Sequence, residues 1–198
     1  MTSKGKLYGL VLSGGKSTRM GTDKGLITYH GVPQRDYLYD LLHEVCDDTF
    51  VSLREEQASE LPSKMKPIID LNEFKGPYNG LLSAHKKYPE AAFLVLACDL
   101  PLMDLEALKE LISNRNTTKK ATAFALKESP LPEPLCAIWE PHALKESVDY
   151  LESGNGTCPR KYLINHDTQL VFPKNKNVLL NANSKEEYHE ALEKLSIR

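Results

Sequence analysis

The sequence predicts an α/β protein, with a mostly parallel sheet as the middle layer and helices on both of its faces. Three observations carry this. Short apolar runs alternate along the chain with segments of helical periodicity. The run Ala92–Cys98 is apolar at every position, as a central parallel strand covered on both faces must be. Several runs also end sharply: Leu7–Leu12 in Ser13-Gly14-Gly15, Lys66–Asp70 in an aspartate, and Ala92–Cys98 in Asp99-Leu100-Pro101. In sheets of this kind ligands bind beyond the carboxyl ends of the strands, so these endings mark the place to look for a site.

Leu7–Leu12 is the first strand, and Leu26–Tyr29 reads as a short extended piece before the turn His30-Gly31-Val32-Pro33. Gln34–Val45 places Leu38, Leu41, Leu42 and Val45 at i, i+3, i+4 and i+7, which predicts a helix. Thr49–Leu53 is a second strand, and the polar Arg54–Leu61, stopped by Pro62, a short helix. Pro67-Ile68-Ile69 forms a third strand that ends in Asp70. Gly76-Pro77 opens a helix, proline being suited to a first helical turn, with a stripe at Leu81, Ala84, His85 and Tyr88. After the Ala92–Cys98 strand, a helix over Asp104–Ser113 turns Leu105, Leu108, Leu111 and Ile112 inward. Ala121–Leu126 and Leu135–Trp139 are strands around a proline-rich loop, Pro130 to Pro134. Pro141–Leu151 is a helix closed by Gly154, and Cys158–Ile164 a shorter one. Gln169–Phe172 and Val178–Leu180 read as short strands. Ser184–Leu195 is a last helix with a capping box, Ser184 and Glu187, and an apolar stripe at Tyr188, Ala191, Leu192 and Leu195. No repeat, low-complexity tract or linker divides the chain, so residues 1–198 read as one domain.

A hydrophobic content of 41% is enough for a proper core. A net charge of −2 gives no global pull toward nucleic acid or an anionic membrane, so local cations must do any anion binding. Cys46, Cys98, Cys136 and Cys158 form no CxxC pair, and a cytoplasmic setting with free thiols is expected. His30, His43, His85, His142, His166 and His189 show no metal-ligand spacing. No segment approaches the roughly 20 apolar residues of a membrane span, and the N-terminal apolar run is too short for a signal sequence.

The richest stretch is Leu7–Lys24. A buried strand empties into Ser13-Gly14-Gly15, followed closely by Lys16, Arg19 and Lys24. Glycines let backbone N–H groups approach an anion, and successive inward N–H groups form a concavity for it. Arg adds a planar fork for phosphate and Lys a mobile charge. Together these make a polyphosphate cradle, although a glycine turn with solvated charges would look the same in isolation. The Walker loop is excluded because its first glycine would fall at Leu10, and G-x-G-x-x-G because Gly14 is followed two residues on by Lys16. Asp99, directly after the most buried strand, suits a hard cation, which is held by one or two carboxylates plus substrate phosphates.

The segment Leu12-Ser13-Gly14-Gly15-Lys16-Ser17-Thr18-Arg19-Met20-Gly21-Thr22-Asp23-Lys24 resembles the nucleotidyltransferase signature L-x-G-G-x-S-x-R-M-G-x-D-K, closest to that of the molybdenum cofactor guanylyltransferases, the MobA family. Gly76-Pro77-x-x-Gly80, Cys98-Asp99-x-Pro101, the strand after Glu133-Pro134-Leu135, and Asn181-x-Asn183 resemble further family segments. The resemblance implies a Rossmann-like sheet of the nucleotide-diphospho-sugar transferase type. It implies transfer of GMP from GTP to molybdopterin, with Mg²⁺ as cofactor and release of pyrophosphate. Leu12, Ser13, Gly14, Gly15, Lys24, Ser52, Asp70 and Asp99 would then bind nucleotide, and Asp99 the metal. Arg19, Lys24 and Asp99 would be catalytic, while Lys16 is either a phosphate contact or a solvated loop charge. Arg160, Lys161, Asn181 and Asn183 would face the acceptor. Transient contact with proteins that accept or insert the cofactor would follow.

The chain also departs from the family pattern. Ser52 stands where the family often has Asn, which weakens the expected base or ribose contacts there. Gln34-Arg35-Asp36 is polar where the family continues apolar, pointing to an exposed helix face or an altered oligomer surface. The Asn-Ala-Asn-Ser segment lacks the family's N-T-P ending. Two rivals stay open: a related cytidylyl- or sugar-phosphate nucleotidyltransferase, and a non-catalytic nucleotide- or pterin-binding adaptor.

Overall fold

The computed structural model describes residues 5–15 and 23–196. Seven strands, β1 (Leu7–Leu12), β2 (Asp48–Leu53), β3 (Pro67–Ile69), β4 (Ala92–Ala97), β5 (Ala121–Phe124), β6 (Cys136–Trp139) and β7 (Thr168–Val171), form one sheet in the order β3-β2-β1-β4-β6-β5-β7. All neighbours are parallel except β6, which runs antiparallel to both β4 and β5. The helices are α1 (Gln34–His43), α2 (Pro77–Lys87), α3 (Leu105–Ser113), α4 (Pro141–Glu152), α5 (Pro159–Asn165) and α6 (Lys185–Ser196).

The fully apolar β4 explains the layering. Its residues alternate between two cores. Ala92, Leu94 and Leu96 pack with Leu38 and Leu42 of α1 and Leu108 and Leu111 of α3. Phe93 and Val95 pack on the other face with Tyr78 and Leu81 of α2, Leu144 of α4 and Tyr162 of α5. Because both faces are covered, a strand here can afford no polar alternation.

Three expectations are corrected. Val178–Leu180 is not a strand but part of a 3₁₀ helix, Lys176–Leu179, because the Asn175 side chain accepts from the Asn177 N–H and starts a tight turn. Leu26–Tyr29 is mostly turn: Asp23 caps a short 3₁₀ helix, Lys24–Leu26, and only Thr28 is bridged, to Pro33. Gln34-Arg35-Asp36 is not an exposed face, since Gln34 is 0% and Arg35 3% exposed. The Gln34 amide donates to the Leu100 carbonyl at 3.1 Å and ties α1 to the loop after β4, while Arg35 pairs with its neighbour Asp36 at 3.2 Å. The capping box of the last helix forms as read, with Ser184 Oγ accepting from the Glu187 N–H and Glu187 accepting from Ser184 N–H.

One buried ion pair closes the far side. Arg115, just after α3, makes a two-pronged bond to Glu140 before α4, at 2.7 and 2.9 Å. Glu140→Gln leaves the guanidinium without its countercharge, and denaturant unfolding should show a loss of about 3 kcal/mol or more.

Candidate active site

The sheet reverses direction at β1. From β1 the chain steps outward to β2 and β3, then returns to place β4 on the other side. Such a switch point opens a crevice at the carboxyl ends of the two central strands. Register levels those ends: Leu12 pairs with Ser52 on β2 and with Ala97 on β4. The residues immediately beyond, Ser13-Gly14, Leu53-Arg54 and Cys98-Asp99, therefore stand side by side.

A cavity of about 470 Å³ fills this crevice, and its walls include Leu12, Ser13, Gly14, Gly15, Lys24, Ser52, Asp70 and Asp99. Every nucleotide-binding residue expected from the sequence thus reaches one cavity. Lys16 and Arg19 fall outside the described residues.

At one end of the cavity Lys24 Nζ lies 3.8 Å from the Asp99 carboxylate and also donates to Asn183 Oδ1. The backbone N–H of Ala182 donates to the Asp99 carbonyl at 2.9 Å, which draws the Asn181–Asn183 segment to the same rim. Desolvation holds the Asp99 carboxyl above the usual carboxylate range, with the Lys24 charge opposing it. Among the described residues no three His, Cys, Asp or Glu side chains cluster to hold a metal. A single desolvated carboxylate of this kind fits Mg²⁺, which completes its shell with substrate phosphates and water. Cys98 Sγ contacts the Leu12 carbonyl at 3.4 Å, and burial pushes its thiol up to about 12, so it is an inert tie between strand ends.

At the other end Ser52 Oγ donates to Asp70 Oδ1 at 2.5 Å. Burial raises the Asp70 carboxyl, against the Ser52 hydrogen bond and the Arg54 charge. Gly14 and Gly80 are dictated by this arrangement. A Cβ on Gly14 would run into the Asp70 carboxylate, and one on Gly80 into the Ser52 hydroxyl.

The four acceptor candidates do not line the described cavity. Asn183 is closest to it through Lys24, whereas the Asn181 amide donates to the Leu179 carbonyl of its own turn. Arg160 is engaged by Glu133 at 2.6 Å and by the Pro132 carbonyl, and Lys161 is exposed on α5. Glu133 belongs to the proline-rich segment that leads into β6. Because β6 is antiparallel, this segment arrives at the same rim, where Leu135 lines the cavity.

Sequence reasoning missed Asp23, Arg54, Asn72, Phe74 and Asn79, all of which line the cavity. Arg54 Nη1 donates to the Gly14 carbonyl at 2.8 Å. Its signal was available, since it follows β2 just as Asp70 follows β3. Asn72 has a positive φ of 58°, a turn conformation that asparagine tolerates and that nothing in its sequence neighbours announces.

A doubly wound sheet with a glycine turn, a lysine and two desolvated carboxylates at its switch point defines an α/β protein with a ligand crevice at its strand ends. Comparison with known proteins narrows the class. Residues 9–169 match the family model of the MobA-like NTP transferase domain. The chain is 39% identical, over 94% of its length, to the molybdenum cofactor biosynthesis bifunctional protein of Synechocystis, and it spans 54% of that longer relative. It is 29% identical to the molybdenum cofactor guanylyltransferase of Pseudomonas fluorescens, covering 89% of each chain. In fold it is similar to molybdopterin-guanine dinucleotide biosynthesis protein A of Archaeoglobus fulgidus, with a TM-score of 0.79, 22% identity, and coverage of 96% and 100% of the two chains. The chain belongs to the MobA-like NTP transferase family and is a nucleotidyltransferase.

Two outcomes are expected of this site. Gly14→Ala forces Asp70 aside and should weaken nucleoside triphosphate binding at least about tenfold in a titration, the overlap costing about 1–3 kcal/mol. Asp99→Asn should melt at a higher temperature than the parent chain at pH 7 without ligand. The Asp99 pKa is raised in the fold, so its stabilising contribution is full below the unfolded value of about 3.9 and is lost as pH rises through the folded one. The difference in melting temperature should vanish below about pH 4.

Proposed function

We propose that the chain transfers GMP from GTP to molybdopterin and releases pyrophosphate, acting as one nucleotidyltransferase domain over residues 1–198. The observation that carries this reading is the pairing of Lys24 with Asp99, 3.8 Å apart at one end of the crevice that Gly14 and Gly15 also line. The names of the relatives support the choice of guanylyl transfer and of this acceptor.

In this reading the backbone of Leu12, Ser13, Gly14 and Gly15 cradles the nucleotide, and Ser52 with Asp70 contacts its nucleoside end. Lys24 meets the phosphate at which transfer occurs, and Arg19 holds the departing pyrophosphate. Asp99 holds Mg²⁺, which when bound supplies positive charge against the triphosphate. Asn181, Asn183, Arg160 and Lys161 stand on the acceptor side. A terminal phosphate on the acceptor has a second pKa near 6 and is largely dianionic at pH 7. It needs no strong general base, so a site without a catalytic histidine is chemically sufficient. The work left to the protein is to align two anions and offset their repulsion.

The cytoplasm completes the reading. All four cysteines are free, and no described helix is long and apolar enough to cross a membrane.

The test is a pyrophosphate-release assay with molybdopterin and, in turn, GTP, CTP and ATP. GTP should be used at least tenfold better, and preference for CTP would overturn the guanylyl assignment. In the same assay Asp99→Ala should abolish Mg²⁺-dependent turnover. Lys24→Ala should lower kcat/KM by an amount equivalent to about 2–4 kcal/mol.

A further inference from the structure

The turn after β2 does more than connect two strands. Gln57, on the 3₁₀ helix Glu55–Glu60, is 7% exposed and reaches back beneath the glycine loop. One N–H of its carboxamide donates to the Ser13 carbonyl at 3.3 Å and the other to Asp23 Oδ2 at 2.5 Å. Its oxygen accepts from the Arg54 N–H at 3.0 Å, so the amide is oriented from its own side. Asp23 in turn uses its second oxygen, Oδ1, to accept from the Gly25 N–H at 2.9 Å. Ser13 and Asp23 are the two ends from which the chain leaves for, and returns from, the segment carrying Lys16 and Arg19. Lys24 is the next residue.

We propose that Gln57 is a positioning residue for the nucleotide's phosphates: it fastens both ends of the loop to each other and so sets where Lys24 reaches. A single carboxamide is the smallest group that can do this. A carboxylate has no N–H to give, and an amine or hydroxyl cannot present two divergent donors and an oriented acceptor at once. The Asp23 carboxylate makes the bond charge-assisted, and so among the stronger kind of hydrogen bond. The inference rests on the reading that this loop binds a nucleoside triphosphate.

The test reverses the polarity of the bond. Gln57→Glu keeps the size and the acceptor for Arg54 but sets a carboxylate against Asp23. Adding Asp23→Asn restores a donor, now on residue 23, while its oxygen still accepts from Gly25. The Ser13 carbonyl stays without its donor, so recovery stops short of the parent. In the folded, full-length protein, Gln57→Glu should lower kcat/KM for GTP about 100-fold, in line with what a misplacement of about 1 Å costs. The double variant should regain about tenfold of that. A purely structural role would lower the melting temperature and leave kcat and KM unchanged.

Amide hydrogen exchange gives a readout independent of turnover. Gly25 N–H should exchange faster in Gln57→Glu and slow again in the double variant. If the parent protein did not turn over GTP, the functional reading would fall while exchange still decided the clamp. Parent-like kinetics and exchange in Gln57→Glu would overturn the proposal, as would a double variant no better than the single one.

Discussion

Leu12 lies between Ser52 and Ala97 in the sheet, and the rest of the site follows from that parallel register. In this register the three strands end nearly level, and whatever follows each ending is delivered to one line. A shift of one residue would turn every side chain to the opposite face. The register is protected against such a shift by full burial on both sides: Leu10 and Val11 point to different cores and neither is exposed. The placement of Ser13, Arg54 and Asp99 is therefore a property of the hydrophobic packing, fixed far from any ligand.

What the packing brings together is electrostatically uncomfortable. Asp70 and Asp99 sit at opposite ends of one cavity, both with carboxyl groups raised by desolvation. Each has a partial remedy of its own kind. Asp70 accepts from the Ser52 hydroxyl and feels Arg54, while Asp99 feels Lys24. Neither is fully compensated. A desolvated anion with incomplete compensation is a group held ready for a cation or a hydrogen-bond donor, and such groups concentrate where chemistry occurs.

Much of this was legible in the sequence because it rests on strong local signals. Ala92–Cys98 could only be a doubly covered strand, and a glycine pair ending an apolar run could only be a turn at a strand end. The positions of Ser52, Asp70 and Asp99 followed from that one rule about strand ends. The same rule applied to Arg54, but the polar run Arg54–Leu61 read only as a short helix. Gln34 and Arg35 misled for a related reason. Their polarity suggested exposure, whereas Gln34 is buried against a carbonyl of a loop 66 residues away, a long-range partner that no helical period reveals. Val178–Leu180 was too short an apolar run to decide between strand and turn, and the asparagine before it decided. The acceptor candidates stood on resemblance alone, and in the structure Arg160 is occupied by Glu133.

The antiparallel β6 has a consequence for how the two halves of the crevice can change. A parallel strand presents its outgoing loop to the rim, but a reversed one presents its incoming loop. Here that loop carries Pro130, Pro132 and Pro134. Proline restricts the backbone before any substrate arrives, so little disorder remains to be lost when something docks against it. The Leu135 carbonyl accepts from the Ala97 N–H and the Pro134 carbonyl from the Trp139 indole, so the end of this wall is tied to β4 and β6. One side of the crevice is thus walled by a stiffened incoming segment and the other by the level ends of β1 and β2.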